Sequence, residues 1–286
     1  MTPDQRTLRT LEELTAFRRR HLGRKLVLVP TMGFLHEGHL SLIRMARTLG
    51  DVVLTTIFVN PTQFAPTEDL DAYPRDIAGD LNKAGSAGSD AVFVPQPEIM
   101  YAPDAATRIH VGPMSQRLCG RLRTQHFSGV CTIVLKLFNL TGCDVAVFGE
   151  KDYQQLAVLR RMVRDLNLTV EIVGHPIVRA PDGLAMSSRN SYLSPEARRQ
   201  ARALSQALDV AEALWLDGER HPARLSDAMK STIHQHQHCR IEYVEVCDPE
   251  TLISLTDPVA RTCLLALAVS VDGTRLIDNR LLSIHG

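Results

Sequence analysis

Net charge is the first thing this chain lacks. Its 32 lysines and arginines are matched by 32 aspartates and glutamates, so no broad field gathers a polyanion and nucleic acid is not an expected partner. A local basic site remains open. No C-x-x-C pair occurs among Cys119, Cys131, Cys143, Cys239, Cys247 and Cys263, which argues against a zinc ribbon and against a disulfide-dense secreted fold. No apolar run approaches a membrane span, and the opening Met1-Thr2-Pro3-Asp4-Gln5-Arg6 lacks the apolar core of a signal peptide. Internal repeats and low-complexity segments are absent as well. These absences leave a soluble cytoplasmic protein with no membrane contact as the expectation. What is present is a chain of 286 residues, 44% hydrophobic, enough to bury a full core in one large domain or two moderate ones.

The apolar residues recur in short β-branched runs at 25–29, 52–59, 91–94, 144–148 and 169–173, with helical patterns at 38–49, 76–87, 128–140 and 153–166. Runs apolar on both faces and separated by helices predict a parallel sheet covered on both sides. An amphipathic helix is predicted over 3–22, with Leu8, Leu11, Leu14 and Phe17 on one side and Gly23 as its stop. Near 175–190 the pattern changes. His175-Pro176 and Pro181-Asp182-Gly183 punctuate the chain, followed by helical stretches at 194–217 and 222–237 and strand-like segments at 240–247, 261–270 and 275–278. The expected fold class is therefore α/β: a Rossmann-like parallel-sheet domain over 1–178 and a smaller C-terminal α+β domain over 179–286.

Ligands in such sheets gather at the carboxyl ends of strands, and the chemical residues cluster there. Met32-Gly33-Phe34-Leu35-His36-Glu37-Gly38-His39 follows the first run and enters a helix. Strand, glycine loop and helix present backbone N–H groups and a positive helix end to a phosphate. His36 and His39, three residues apart, share a face and can donate to phosphate oxygens as charge develops. Two solvated loop histidines are the alternative. Asn60-Pro61-Thr62-Gln63-Phe64 places amides and a ring at the second strand end. Gly149-Glu150-Lys151-Asp152-Tyr153-Gln154-Gln155 closes another strand. There Lys151 can neutralise nucleotide phosphates, Asp152 can cap the following helix, and the two glutamines can orient a small polar substrate. Ala185-Met186-Ser187-Ser188-Arg189-Asn190 offers hydroxyls and a guanidinium to a triphosphate. Arg121-Leu122-Arg123-Thr124-Gln125-His126-Phe127 is either a closing basic loop or solvated surface. His234, His236 and His238 tempt one to a metal site, but no carboxylate accompanies them, and a solvated helix end accounts for them better.

Taken jointly, these segments resemble the pantoate–β-alanine ligase family of the nucleotidyltransferase superfamily. The resemblance covers nearly the whole chain and rests on Pro30-Thr31-Met32-Gly33, His36-Glu37-Gly38-His39, Phe58 to Phe64, Tyr73-Pro74-Arg75, Phe148 to Leu156 and Asp182 to Asn190. The His-x-Gly-His element alone indicates the superfamily; the glutamine motifs and the Met-Ser-Ser-Arg loop make it specific. The resemblance implies a two-step reaction. Pantoate attacks the α-phosphate of ATP to give pantoyl adenylate and pyrophosphate, and β-alanine then displaces AMP. It implies that Met32 to His39, Gly149 to Asp152, Val178 and Met186 to Arg189 bind ATP. His39, His36, Lys151 and Arg189 are implied as catalytic, with Gln63, Gln155 and Arg123 on pantoate and Gln63 also near β-alanine. Mg²⁺ is implied with the ATP, its protein ligands unassigned. A homodimer is implied too. Asp80 is read as an aspartate on a helix surface, with metal contact as the alternative.

One departure stands out. Thr124-Gln125 occupies the place of the family's Pro-Gly between Arg123 and His126, which changes that loop's backbone preferences and predicts an intact reaction with altered substrate affinity. Competing readings are an adenylyltransferase that stops at a nucleotide-linked product, an aminoacyl-tRNA synthetase fragment, and a non-enzymatic nucleotide-binding module. The paired glutamine motifs, the neutral charge and the phosphate-facing side chains respectively argue against them.

Overall fold

The computed structural model describes residues 6–66 and 68–284. Strands β1 (Arg6–Leu8), β2 (Leu26–Thr31), β3 (Val52–Ile57), β4 (Ala91–Phe93), β5 (Val145–Gly149) and β6 (Glu171–His175) form a parallel sheet in the order β1-β4-β3-β2-β5-β6. Helices α1 (Leu11–Arg20), α2 (Glu37–Leu49), α3 (Ile77–Ser86), the short α4 (Pro97–Met100), α5 (His126–Thr141) and α6 (Tyr153–Asp165) alternate with them. Every residue of β3 is buried, as the both-face apolar run requires. On one face Val27, Val29, Val53, Ile57, Val92, Val145 and Val147 pack against Ile43 and Ala46 of α2. Truncating a fully buried side chain such as Ile43 to alanine costs roughly 2–5 kcal/mol.

The helix predicted over 3–22 is corrected. Residues 3–5 lie outside the described residues, Arg6–Leu8 is a strand paired to Ala91–Phe93, and the helix begins at Leu11. A capping box sets that start: Glu13 N–H donates to Thr10 Oγ1 at 3.2 Å, and Thr10 N–H donates back to the Glu13 carboxylate at 3.1 Å. Leu8 matched the helical spacing but points inward from the edge strand, 5% exposed.

From β2 the chain winds outward to β3 and β4 and then crosses to β5 on the other side of β2. Ligands bind open sheets where the winding reverses. There β2 pairs with β5 only at Val27 and Leu28, whereas with β3 it pairs from Leu26 through Thr31. Pro30, which has no N–H to give a ladder, lies beyond the last β5 pair. The sheet's hydrogen bonding is thereby opened between β2 and β5 at the carboxyl edge.

A second sheet, β7 (Cys239–Cys247), β8 (Thr262–Val271) and β9 (Thr274–Ser283), is antiparallel in that order. Leu265, Leu267, Val269 and Leu276 on it share a core with Leu204, Leu208 and Trp215 of α8 (Ala203–Leu216) and Leu225 and Met229 of α9 (Pro222–His234). The helix predicted over 194–217 is two, α7 (Pro195–Ala201) and α8, separated by Arg202. β9 continues past the predicted end at 278 to Ser283, because the buried Asp278 and Asn279 find partners within the protein.

The chain forms two compact units. One takes residues up to Ser115, Arg123–Glu150 and Val158–Pro176; the other takes Gln116–Leu122, Lys151–Ala157 and Ile177 onward. All six cysteines are free thiols. Burial pushes Cys131 and Cys247 up to about 12 and Cys143, Cys239 and Cys263 up to about 11. Among the described residues no helix is long and apolar enough to cross a membrane.

Candidate active site

In the first unit the loop after β2 takes an unusual path. Gly33 and Phe34 both adopt positive φ, +86° and +51°. Glycine does so without cost, while a side chain of phenylalanine's bulk there is disfavoured. A Cβ at Gly33 would lie 2.9 Å from Ile57 Cγ2 and 3.0 Å from Asp80 Oδ2, so space as well as φ demands glycine. The conformation turns two successive N–H groups onto one carboxylate. Phe34 N–H donates to Asp80 Oδ2 at 2.7 Å, and Leu35 N–H donates to Asp80 Oδ1 at 2.6 Å. Thr31 Oγ1 receives Gly33 N–H at 3.2 Å and donates to the Thr56 carbonyl at 2.7 Å.

Asp80 is thus no surface aspartate. It is 0% exposed and faces inward from α3. Its surroundings were invisible in the sequence, because the backbone N–H groups it serves lie about 45 residues away along the chain. Burial pushes its carboxyl up, and the two backbone N–H groups and Lys83 only partly offset that.

The loop delivers His36 to the start of α2. The His36 and His39 rings stack with centroids 4.1 Å apart. His36 N–H donates to His39 Nδ1 at 3.3 Å, which makes Nε2 the protonated nitrogen of a neutral His39 and hence a donor. Glu37, between them, turns its exposed carboxylate to Arg44, so only its backbone is available to a ligand at the helix end.

At the end of β3, Pro61–Gln63 forms a 3-10 turn entered from Asn60. Asn60 is 1% exposed. Its Nδ2 donates to Gln63 Oε1 at 3.0 Å and to the Gly129 carbonyl at 3.2 Å, and Tyr101 Oη–H donates to its Oδ1 at 2.9 Å. Gln63 Oε1 is therefore an acceptor and Nε2 the donor, and Nε2 lies 3.0 Å from Met32 Sδ. This contact brings two of the sequence-predicted segments together. A third joins them through Arg123 and His126, whose side chains both donate to the Gln63 carbonyl, at 3.4 and 2.8 Å. Arg123 also holds Glu68 through two hydrogen bonds of 2.5 and 2.6 Å. Burial works to raise the Glu68 carboxyl, but the guanidinium holds it below the usual glutamate value. Thr124-Gln125 forms an ordinary turn, with Gln125 at φ −96°, ψ −13°, and α5 begins at His126 rather than at 128. Close approach of α5 requires Gly129, whose Cβ would fall 2.3 Å from the Thr62 carbonyl oxygen.

The second unit gathers the remaining candidates except Gly149 and Glu150, which end the first-unit strand. Gln154 is spent on structure: its Oε1 accepts Cys119 N–H at 3.0 Å and its Nε2 donates to the Arg117 carbonyl at 2.6 Å. Gln155, half-buried, makes no side-chain hydrogen bond among the described residues. Residues 178–186 form a narrow hairpin, with Met186 N–H donating to the Val178 carbonyl and Ala180 N–H to the Leu184 carbonyl, both at 2.9 Å. Arg179 locks it to β9 by a two-pronged ion pair with Asp278, at 2.6 and 2.9 Å. The neighbouring Asn279 donates to the Lys151 carbonyl at 2.9 Å. Lys151, Val178 and Met186 are thus tied to one strand. Ser187 caps the 3-10 turn Ser188–Tyr192, accepting Arg189 N–H at 3.3 Å, and Asn190 Nδ2 donates to the Ala185 carbonyl at 3.0 Å. Of His234, His236 and His238, the last pairs with Asp272 at 2.6 Å.

Sequence reasoning did not assign Asn60, Glu68, Arg179, Asp278 and Asn279. Asp278-Asn279 carried a usable signal, two adjacent polar residues inside an apolar strand. Glu68 and Asp80 carried none.

The family model for pantoate-beta-alanine ligase matches residues 6–281. The pantothenate synthetase of Thermotoga neapolitana is 50% identical over 279 residues, covering 97% of this chain and 99% of that one. That of Solidesulfovibrio magneticus is 51% identical over 260 residues, 91% of each. Among solved structures, pantothenate synthetase from Thermus thermophilus superposes with a TM-score of 0.92 at 44% identity, covering 96% of this chain and 98% of that one. Pantoate-beta-alanine ligase from Francisella tularensis, complexed with beta-gamma ATP and beta-alanine, gives a TM-score of 0.78 at 30% identity over 97% of each.

Proposed function

The chain belongs to the pantoate–β-alanine ligase family, and from that premise we propose how its residues divide the work of the ligation. It is an ATP-dependent ligase of pantothenate biosynthesis, joining pantoate to β-alanine. In the proposed first step a pantoate carboxylate oxygen attacks the α-phosphorus of ATP. The new P–O bond forms as the bond to the bridging oxygen breaks, and pyrophosphate leaves with the electron pair. In the second step the neutral amine of β-alanine attacks the acyl carbon. A C–N bond forms, AMP departs with the C–O electrons, and the amine loses a proton. Adenylation is needed because a carboxylate is a poor acceptor for an amine, whereas AMP is a good leaving group.

The observation that carries this reading is the stacked His36–His39 pair at the start of α2, beside the opened sheet edge, with Gln63 Nε2 at Met32. His39 Nε2–H is assigned to the phosphate oxygens on which charge grows, as a stabilising donor with proton donation available to it. His36 assists, and the first-turn N–H groups of α2, with Gly33 to Gly38, contribute to ATP binding. Gln63 is assigned to pantoate and to the incoming amine side. Arg123 is assigned to pantoate by exchange of Glu68 for the substrate's carboxylate, which has the same two-oxygen geometry. Gln155 is a further pantoate contact. Gly149 to Asp152, Val178 and Met186 to Arg189 are assigned to the nucleotide, with Lys151 as a point charge and Arg189 as a planar fork on the triphosphate.

Magnesium is proposed to enter with ATP. Among the described residues no three histidine, cysteine, aspartate or glutamate side chains converge to hold a cation, and the Asp80 oxygens are taken by backbone N–H groups. That donor set fits an ion carried mainly by phosphate oxygens and water, where it would neutralise charge on the leaving pyrophosphate. A homodimer is part of the same proposal.

The test uses the two half-reactions. Labelled pyrophosphate should exchange into ATP when pantoate is present and β-alanine absent, and AMP should accumulate only on adding β-alanine. Amine-dependent AMP release without exchange would remove the adenylate intermediate. Product formation indifferent to the amine would favour an adenylyltransferase.

A further inference from the structure

We propose that Asp80 and Lys83 of α3 are positioning residues for the adenylation step, setting the nucleotide loop through the backbone on either side of Leu35; the inference rests on the ligase reading above. The two residues stand one helical turn apart and both reach the loop. Asp80 takes Phe34 N–H and Leu35 N–H, while Lys83 Nζ donates to the Leu35 carbonyl at 2.9 Å. The residue just before His36 is therefore gripped on both sides of its backbone by opposite charges.

Successive backbone N–H groups turned to one side of a tight turn make a concave anion site. Here the protein fills that site with its own carboxylate. The Phe34 and Leu35 N–H groups are consequently withdrawn from any phosphate, and the nucleotide is left to the α2 end and the histidine pair. Asp80 does not touch substrate; it fixes the entry angle of His36 and, through the stacked rings, of His39. An error of about an ångström in such a placement can cost on the order of a hundredfold in rate. Asp80 is wholly buried, so its carboxylate also adds an unfavourable negative charge near the triphosphate, and Lys83 offsets it. A buried anion next to an anionic substrate makes electrostatic sense only if its grip on the loop outweighs its repulsion of the ligand.

This gives a signature that a phosphate or metal contact would not share. Asp80→Asn keeps one acceptor but turns an NH₂ group towards the second N–H, so the loop loses half its clasp while the negative charge disappears. The expected result is a fall in kcat of pantoate-dependent pyrophosphate exchange by about tenfold to a hundredfold, with the KM for ATP unchanged or lower. Added Mg²⁺ should not restore the rate. Lys83→Met, which keeps the stem and removes the donor, should lower kcat by a smaller factor. The double variant should be no slower than Asp80→Asn, since both act on His36 through the backbone of one residue, Leu35.

An unchanged kcat in folded Asp80→Asn, a raised KM for ATP, or rescue by Mg²⁺ would each overturn the inference. Should Asp80→Asn not fold by its thermal melt, Lys83→Met decides, and a wild-type kcat there is equally fatal. Absence of exchange in the unaltered protein would instead bring down the ligase reading itself.

Discussion

The Met32–His39 loop of the first unit and the Val178–Arg189 segment of the second are both assigned to ATP, yet they are built by opposite means. The first bends through two consecutive positive-φ residues and is braced by a buried carboxylate on its backbone N–H groups. The second is a regular hairpin whose tight turn uses Gly183 at φ +87°, anchored at its base by the Arg179–Asp278 ion pair. In one, backbone strain is over-determined by its surroundings; in the other, an unstrained turn is tethered from a side chain. The difference suits the chemistry proposed for each. A histidine that must meet developing charge tolerates little displacement, whereas Lys151 and Arg189 have long side chains that find a triphosphate from a less exact origin.

The sharpest way to break the comparison is His39→Ala. The loop should stand, since its bracing lies at Thr31, Asp80 and Lys83, but kcat for exchange should drop by roughly two to four orders of magnitude. Steady-state kinetics on the folded variant measures this, and turnover at the parental rate would remove His39 from the chemistry. The tether of the second unit comes next. Asp278→Ala leaves the Arg179 guanidinium, about three-quarters buried, without its partner, and removing one member of such a pair costs about 3–5 kcal/mol. The single Trp215, 4% exposed and capped by Arg220 at 4.0 Å, lies in that unit, so urea unfolding followed by its fluorescence reads the loss. A change below about 1 kcal/mol would mean that the hairpin is held by its backbone bonds alone.

The smallest effect concerns Glu68 and Arg123. In the folded chain the Glu68 carboxyl binds its proton less tightly than in the unfolded chain. Its contribution is therefore complete above the ordinary glutamate range, near about 4.3, and is lost as pH falls through the lowered folded value. Glu68→Gln should remove that pH-dependent part, on the order of 1 kcal/mol, and flatten the acid limb of the stability curve. An acid limb identical to that of the parent protein would deny the pair any role in stability.

The sheet was legible because both-face apolar runs and helical spacing leave few alternatives, and the histidine and glutamine motifs lay where parallel strands end. Three things were not legible. Leu8 imitates a helix position while serving an edge strand, since spacings of three are shared by chance over one turn. Gln154 and Gln155 look alike as residue types, but only packing reveals that one is committed to Arg117 and Cys119. Asp80 lies 45 residues from Leu35, and no local pattern announces a carboxylate that serves a distant backbone. Side chains that touch a ligand leave motifs; those that hold the motif in place are found through space.

The high proton affinity of the buried thiols has a practical consequence. With Cys131 and Cys247 near 12 and Cys143 and Cys263 near 11, the reactive thiolate is scarce at neutral pH, and alkylating reagents meet a closed surface. Labelling then requires opening. Cys131 and Cys143 belong to the first unit and Cys247 and Cys263 to the second, so the chain carries built-in clocks in each half. Mass spectrometry of timed alkylation would read how often each half opens, with and without ATP, in a protein carrying no added probe.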